Sequence, residues 1–94
     1  MGLSDLVQHT SAMRDAMPLP IIVDADTGFG NALNVRQVVR SLERAGANAI
    51  QLEDQVMPKK CGHFTDKSVI DPMEMVSKIH AAVDSRESAD FLII

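Results

Sequence analysis

The chain has 94 residues, of which 46% are hydrophobic, with a net charge of −4 and a single cysteine. That length allows at most one small domain, and the apolar fraction is that of a globular chain. The acidic balance carries no electrostatic footprint for nucleic acid or an anionic membrane surface. One cysteine, Cys61, excludes an intrachain disulfide. No apolar run approaches the ~20 residues that span a bilayer, and Met1-Gly2-Leu3-Ser4-Asp5 lacks the flanks of a signal peptide, so a cytoplasmic protein is expected. With three Phe and no Trp or Tyr, the core must rest on Val, Ile, Leu, Met and Ala.

Ser4 to about Met17 predicts a helix, with Ser4 as its cap and Leu3, Leu6, Val7, Met13 and Met17 as an apolar stripe. Pro18 stops it. Ile21 to Asp24 predicts a strand, apolar without alternation, as expected when both faces are covered. Residues 25–33 read as a loop. Asn34 is expected to cap a second helix, Val35 to Ala45, whose Val35, Val38, Val39 and Leu42 follow the spacing of one helical face. Gly46 suits its end. Ala49 to Leu52 predicts a second strand, and residues 53–70 a long loop of the kind that is often functional. Asp71-Pro72 marks a third helix start, with Met75, Val76, Ile79 and Val83 as its expected buried face. Phe91 to Ile94 predicts a third strand. The six Met residues read as core filler, and His9 and His80 as surface groups.

Strands alternating with helices predict an α/β fold with parallel pairing and right-handed crossovers. A third strand ending the chain without a covering helix leads to the expectation of a three-strand segment of a (β/α)8 TIM-type barrel, which typically has roughly 250 residues. A dimer covering the sheet edge is the competing account.

The chemistry-bearing residues fall at the strand ends. Asp24 and Asp26 stand two apart and face the same way on an extended chain. Asp26-Thr27-Gly28 also suits a plain turn. Glu53 follows the next strand at the same end, and acids converging at the C-terminal ends of parallel strands are where barrel chemistry sits. Carboxylates are the hard oxygen ligands that Mg²⁺ prefers, with Mn²⁺ as an alternative; an acid/base pair is the competing use. Cys61 lies among Lys59, Lys60 and His63. It is either an ordinary loop thiol or one whose thiolate is favoured by neighbouring cations and can exchange a proton with a substrate carbanion. Gly28-Phe29-Gly30 is not a dinucleotide fingerprint, because Leu33 stands where the third glycine belongs.

Val23-Asp24-Ala25-Asp26-Thr27-Gly28-Phe29-Gly30-Asn31-Ala32-Leu33-Asn34-Val35, then Ala45-Gly46-Ala47, Leu52-Glu53-Asp54-Gln55-Val56 and Pro58-Lys59-Lys60-Cys61-Gly62-His63 together resemble the isocitrate lyase/phosphoenolpyruvate mutase superfamily. The resemblance covers essentially the whole chain. It implies an oligomeric α/β barrel, a tetramer in the full-length parent, with Mg²⁺ holding a small 2-oxo or 2-hydroxy carboxylic acid. It implies Asp24 as a direct metal ligand and Asp26 and Glu53 as ligands acting through water on the metal. Cys61 is then the acid/base of the lyase branch. Lys59, Gly62 and His63 belong to a gating loop and substrate pocket, with Lys59 counted beside Cys61 in the catalytic machinery and Gly62 and His63 in substrate binding.

The Cys-Gly-His block favours carbon–carbon cleavage of a 2-methylisocitrate or 2-alkylmalate type acid. Phosphonate or oxaloacetate chemistry of the same superfamily is the alternative, and a non-catalytic fragment or interaction module the third. Residues 1–94 are expected to be a partial barrel domain lacking the family's early strand and its later Ala-Arg-Thr-Asp segment. The isolated chain is expected to be marginally stable and inactive.

Overall fold

The computed structural model describes residues 2–55 and 68–94. Their order is α1 (Leu3–Ala16), β1 (Ile22–Asp24), α2 (Ala32–Ala45), β2 (Ala49–Gln51), α3 (Pro72–Ser85) and β3 (Leu92–Ile93). The strands form one sheet in the order β1-β2-β3, parallel throughout, as the alternation predicts. Its register pairs Val23 with Ile50 and Asp24 with Gln51, and on the other side Ile50 with Ile93. Among the described residues no helix is long and apolar enough to cross a membrane.

The core lies between the sheet and α2. Val35, Val38, Val39 and Leu42 are fully buried on one face of α2, and Ile21, Val23, Ala25, Ile50 and Phe91 meet them from the sheet and its flanks. Burying a Val or Leu side chain contributes about 1.5–3 kcal/mol. The uncovered side of the sheet is a departure from expectation. Ile22 is 60% exposed while its neighbours Ile21 and Val23 are buried, so β1 is covered on one face in these residues.

Other departures concern helix ends and faces. α1 is capped by Gly2 rather than Ser4, and Asp5 accepts the Gly2 N–H at 3.3 Å. Thr10 is its buried residue and Met13 lies half exposed. α2 is capped by Asn31, not Asn34: Asn31 Oδ1 accepts the Leu33 and Asn34 amides at 3.0 and 3.2 Å. Asn34 instead returns its Oδ1 to the Asn31 amide at 3.0 Å. Ala32 and Leu33 are good helix formers, which lets α2 start a turn early.

On α3 the expected face is the wrong one. Val76, Ile79 and Val83 are exposed, and Lys78, Ala81, Ala82 and Ser85 are buried. Small alanines allow close approach to α2, while the branched residues sit on the opposite stripe. Of the described methionines Met17 packs against the core, while Met13 and Met73 are exposed and Met75 is half-buried. His9 and His80 are exposed as expected.

One side chain ties the first helix to the sheet. Arg14 donates from Nε and Nη2 to Gly46 O at 3.0 and 2.9 Å, and from Nη2 to Asn48 Oδ1 at 2.7 Å. Its Nη1 reaches Leu19 O at 2.9 Å. Asn48 Oδ1 in turn accepts the Ile21 amide at 2.9 Å, at the entrance to β1. Gly46 ends α2 with φ 111°, and a Cβ there would lie 2.6 Å from Arg14 Cγ. Glycine is therefore required both by the left-handed turn and by the arginine stem.

Two outcomes are expected in equilibrium unfolding of the protein containing this chain. Asn31→Ala should destabilise by about 1 kcal/mol, and by more than Asn34→Ala, because it strips the acceptor from two helix-start amides. Arg14→Ala should cost about 2–3 kcal/mol by leaving carbonyls at Gly46 and Leu19 without their charged donor. Arg14→Lys should recover less than half of that, since an ammonium cannot reproduce the fork. Equal urea midpoints for Arg14→Ala and the unaltered protein would remove the clamp from the account.

Candidate metal centre

Parallel pairing brings the ends of β1 and β2 level. Beyond the paired Asp24 and Gln51, the ladder runs one residue further, with the Ala25 amide donating to Gln51 O at 2.9 Å. The Glu53 amide then donates to Asp26 O at 2.6 Å. These two bonds seat the residues after β1 against those after β2.

The chain turns sharply between them. Asp26 and Phe29 have φ of 50° and 61°, and Gly28 has 86°. The Asp26 amide donates to Asp24 Oδ1 at 2.9 Å, so Asp24 builds the turn as well as presenting a carboxylate. The Gly28 amide closes back on Ala25 O at 2.9 Å. A Cβ on Gly28 would come within 2.5 Å of Val35 Cγ2, so the turn can lie flat on α2 only with glycine there.

The result is a convergence of three acids. One carboxylate oxygen from each of Asp24, Asp26 and Glu53 lies within 4.8 Å of the others. Asp24 is exposed and Asp26 and Glu53 are half-buried, with Glu53 Oε2 withdrawn from solvent. Ionised groups this close repel by about 3–4 kcal/mol per pair at an effective dielectric of ~20. A divalent cation turns that repulsion into attraction, and an all-oxygen donor set suits Mg²⁺ or Mn²⁺ rather than zinc. The residues present therefore fit a hard cation.

Between the turn and the start of α3 lies a cleft of about 490 Å³, lined by Thr27, Gly30, Gln55, Ile70, Glu74 and Lys78 among others; Asp24, Asp26 and Glu53 are not among its described lining residues. Two of its lining residues, Gln55 and Val69, are joined by an antiparallel bridge, and the Ile70 amide donates to Asp54 O at 2.7 Å. That volume is in the range of small-molecule pockets.

Of the site residues expected from sequence, Asp24, Asp26 and Glu53 are brought together. Lys59, Cys61, Gly62 and His63 lie outside the described residues. Sequence reasoning missed Lys78, which is 4% exposed and donates from Nζ to Thr27 O at 3.0 Å. The available signal was its spacing, three and four residues before Ala81 and Ala82 on the small-residue face of α3.

The family model described as phosphoenolpyruvate phosphomutase matches residues 1–94. The chain is 52% identical over 94 residues to 2,3-dimethylmalate lyase of Eubacterium barkeri, covering 100% of this chain and 32% of that protein. It is 60% identical over 87 residues to 2-methylisocitrate lyase of Aeropyrum pernix, covering 93% of this chain and 28% of that one. Among solved structures, phosphonopyruvate hydrolase in complex with oxalate and Mg²⁺ superposes with a TM-score of 0.87 at 36% identity, covering 99% of this chain and 31% of that one. The chain thus spans about a third of the length of these relatives. A parallel βα sheet carrying acids at its C-terminal ends, matched from the first residue to the last, makes this chain a member of the phosphoenolpyruvate mutase/isocitrate lyase superfamily.

Proposed function

We propose that the protein containing this chain is a Mg²⁺-dependent carbon–carbon lyase that cleaves a 2-hydroxy di- or tricarboxylic acid of the 2-methylisocitrate or 2-alkylmalate type by a retro-aldol reaction. The observation that carries the reading is the convergence of Asp24, Asp26 and Glu53 at the C-terminal ends of two parallel strands. It is supported by the identities to lyases of dimethylmalate and methylisocitrate. The intact protein is proposed to be a cytoplasmic homo-oligomer, a tetramer, whose barrel is completed outside residues 1–94.

Asp24, Asp26 and Glu53 would hold the cation, with Mn²⁺ able to replace Mg²⁺. When bound, the ion would stabilise negative charge on the substrate's 2-hydroxyl oxygen as a base removes its proton, the form from which the carbon–carbon bond breaks to give the carbonyl product. The chain's own residues do the rest. The half-buried Glu53 and Asp26 fix the position of the negative charge. A small carboxylic acid would bind against the cation, with Gly62 and His63 as its proposed contacts. Cys61, with Lys59 beside it, delivers a proton to the carbanion left on the second product, and closure of their loop would exclude water.

A second reading, phosphonopyruvate hydrolysis or phosphoenolpyruvate mutation, draws on the 36% identity to phosphonopyruvate hydrolase, and oxaloacetate cleavage belongs with it. The Lys-Lys-Cys-Gly-His block argues against it, because phosphonate-processing members generally lack Cys-Gly-His. Product analysis of the intact protein with a panel of 2-hydroxy and 2-oxo acids decides between them: phosphate released from phosphonopyruvate would favour the second.

Two variants test the roles. Asp24→Ala should weaken Mn²⁺ binding, read by electron paramagnetic resonance of free Mn²⁺, by more than the roughly 10–100-fold typical of losing a supporting group. Cys61→Ala should lower kcat on a 2-alkylmalate or methylisocitrate by about 10²–10⁴-fold while Mn²⁺ affinity is retained. Cleavage at the unaltered rate in Cys61→Ala would end the assignment of the thiol as proton donor.

A further inference from the structure

The turn that leaves β1 at Asp24 and carries Asp26 is held at three successive carbonyls by three different donors. Ala25 O accepts the Gly28 amide within the turn. Asp26 O accepts the Glu53 amide from the end of β2. Thr27 O accepts the ammonium of Lys78, which reaches it from the middle of α3, 51 residues away. Thr27 is 2% exposed and Lys78 4%.

A lysine is seldom buried without a carboxylate, because removing an ammonium from water is costly. Among the described residues no acid lies within ion-pair distance of Lys78, and the Thr27 carbonyl is its hydrogen-bond partner. An aliphatic residue would fill the same space between α2 and α3 at lower cost. What it could not do is donate to a carbonyl one residue beyond Asp26, in a turn whose non-glycine residues Asp26 and Phe29 sit at positive φ. Such conformations persist only where the surroundings over-determine them.

We propose that Lys78 is a positioning residue of the metal centre: its ammonium fixes the Asp24–Phe29 turn so that Asp24 and Asp26 meet Glu53. It acts on the turn through the backbone carbonyl of Thr27. The metal consequence rests on the reading of Asp24, Asp26 and Glu53 as the cation's ligands; the hold on the turn stands on geometry alone.

The test compares Lys78→Met, Lys78→Gln and Lys78→Arg in the intact protein, with two readouts. Amide exchange at Gly28 and Glu53, whose bonds belong to the turn, should speed up about tenfold or more in Lys78→Met relative to Val38 in α2. Mn²⁺ affinity should fall about 10–100-fold, as for loss of an outer support of a metal site. Lys78→Arg, which keeps a cationic donor, should recover most of both. If Lys78→Met does not fold, Lys78→Gln carries the same comparison with a shorter, uncharged side chain. Unchanged Mn²⁺ affinity in a folded Lys78→Met or Lys78→Gln protein overturns the proposal, and so does faster exchange spread evenly over α2 and the turn. Absence of Mn²⁺ binding in the unaltered protein overturns the metal reading and this role with it, while the exchange arm still shows whether Lys78 holds the turn.

Discussion

Parallel pairing of β1 with β2 in the register Asp24 to Gln51 is the constraint on which the site depends. Side chains alternate along a strand, so a slip of one residue would turn Asp24 from the open face of the sheet to the helix-covered one. The register is fixed from both ends. At the entrance, Asn48 Oδ1 accepts the Ile21 amide and is itself gripped by Arg14. At the exit, the Ala25 and Glu53 amides bond across to Gln51 and Asp26. Between them Val23 and Ile50 are buried against α2. A site made of acids from two strands thus inherits its geometry from apolar packing and a distant arginine clamp.

Packing also explains why the acids can crowd together. α2 buries an unbroken row of Val35, Val38, Val39 and Leu42, and the turn before it is pressed flat by the contact of Gly28 with Val35. The strain of two non-glycine residues at positive φ is of order 1–3 kcal/mol each. Mutual repulsion of the three carboxylates adds to it when no cation is present. Both are offset by burial that is not local to the site. This division, with stability in the helix-covered layer and chemistry at the strand ends, is the one expected of a barrel's βα units.

The parts legible in sequence were those written in local chemistry. Gly46 ends α2, Asp71 and Pro72 start α3, and the spacing of Val35 to Leu42 defines a face, because each depends on residues within about one helical turn. The acids were legible because two strands end the same way. Parts that depend on a neighbour were not. For the cap of α2 the sequence pointed to Asn34, but Asn31 takes it three residues earlier. On α3 hydrophobicity pointed to Val76, Ile79 and Val83, yet close approach to α2 selected the alanines. The spacing of Lys78 from Ala81 and Ala82 pointed to its face but not to its partner, since the carbonyl it meets belongs to a turn 51 residues earlier.

The open faces of the sheet and of α3 bear on the same division. Ile22 and Leu92 are more than half exposed, and Met73, Val76, Ile79 and Val83 form an apolar stripe on the outer side of α3. Asp24 stands on the face that Ile22 occupies, two residues further along the strand. In a closed barrel that face is interior and filled by layers of aliphatic side chains, with the chemistry placed just above the top layer. Ile22 would then belong to a layer and Asp24 to the rim over it, so a single alternation of two residues separates core from the proposed metal centre. That spacing is why the acid at position 24 can be exposed while the residue two places earlier needs apolar neighbours. It also makes the β1 register, rather than any one carboxylate, the feature whose loss would scatter the site.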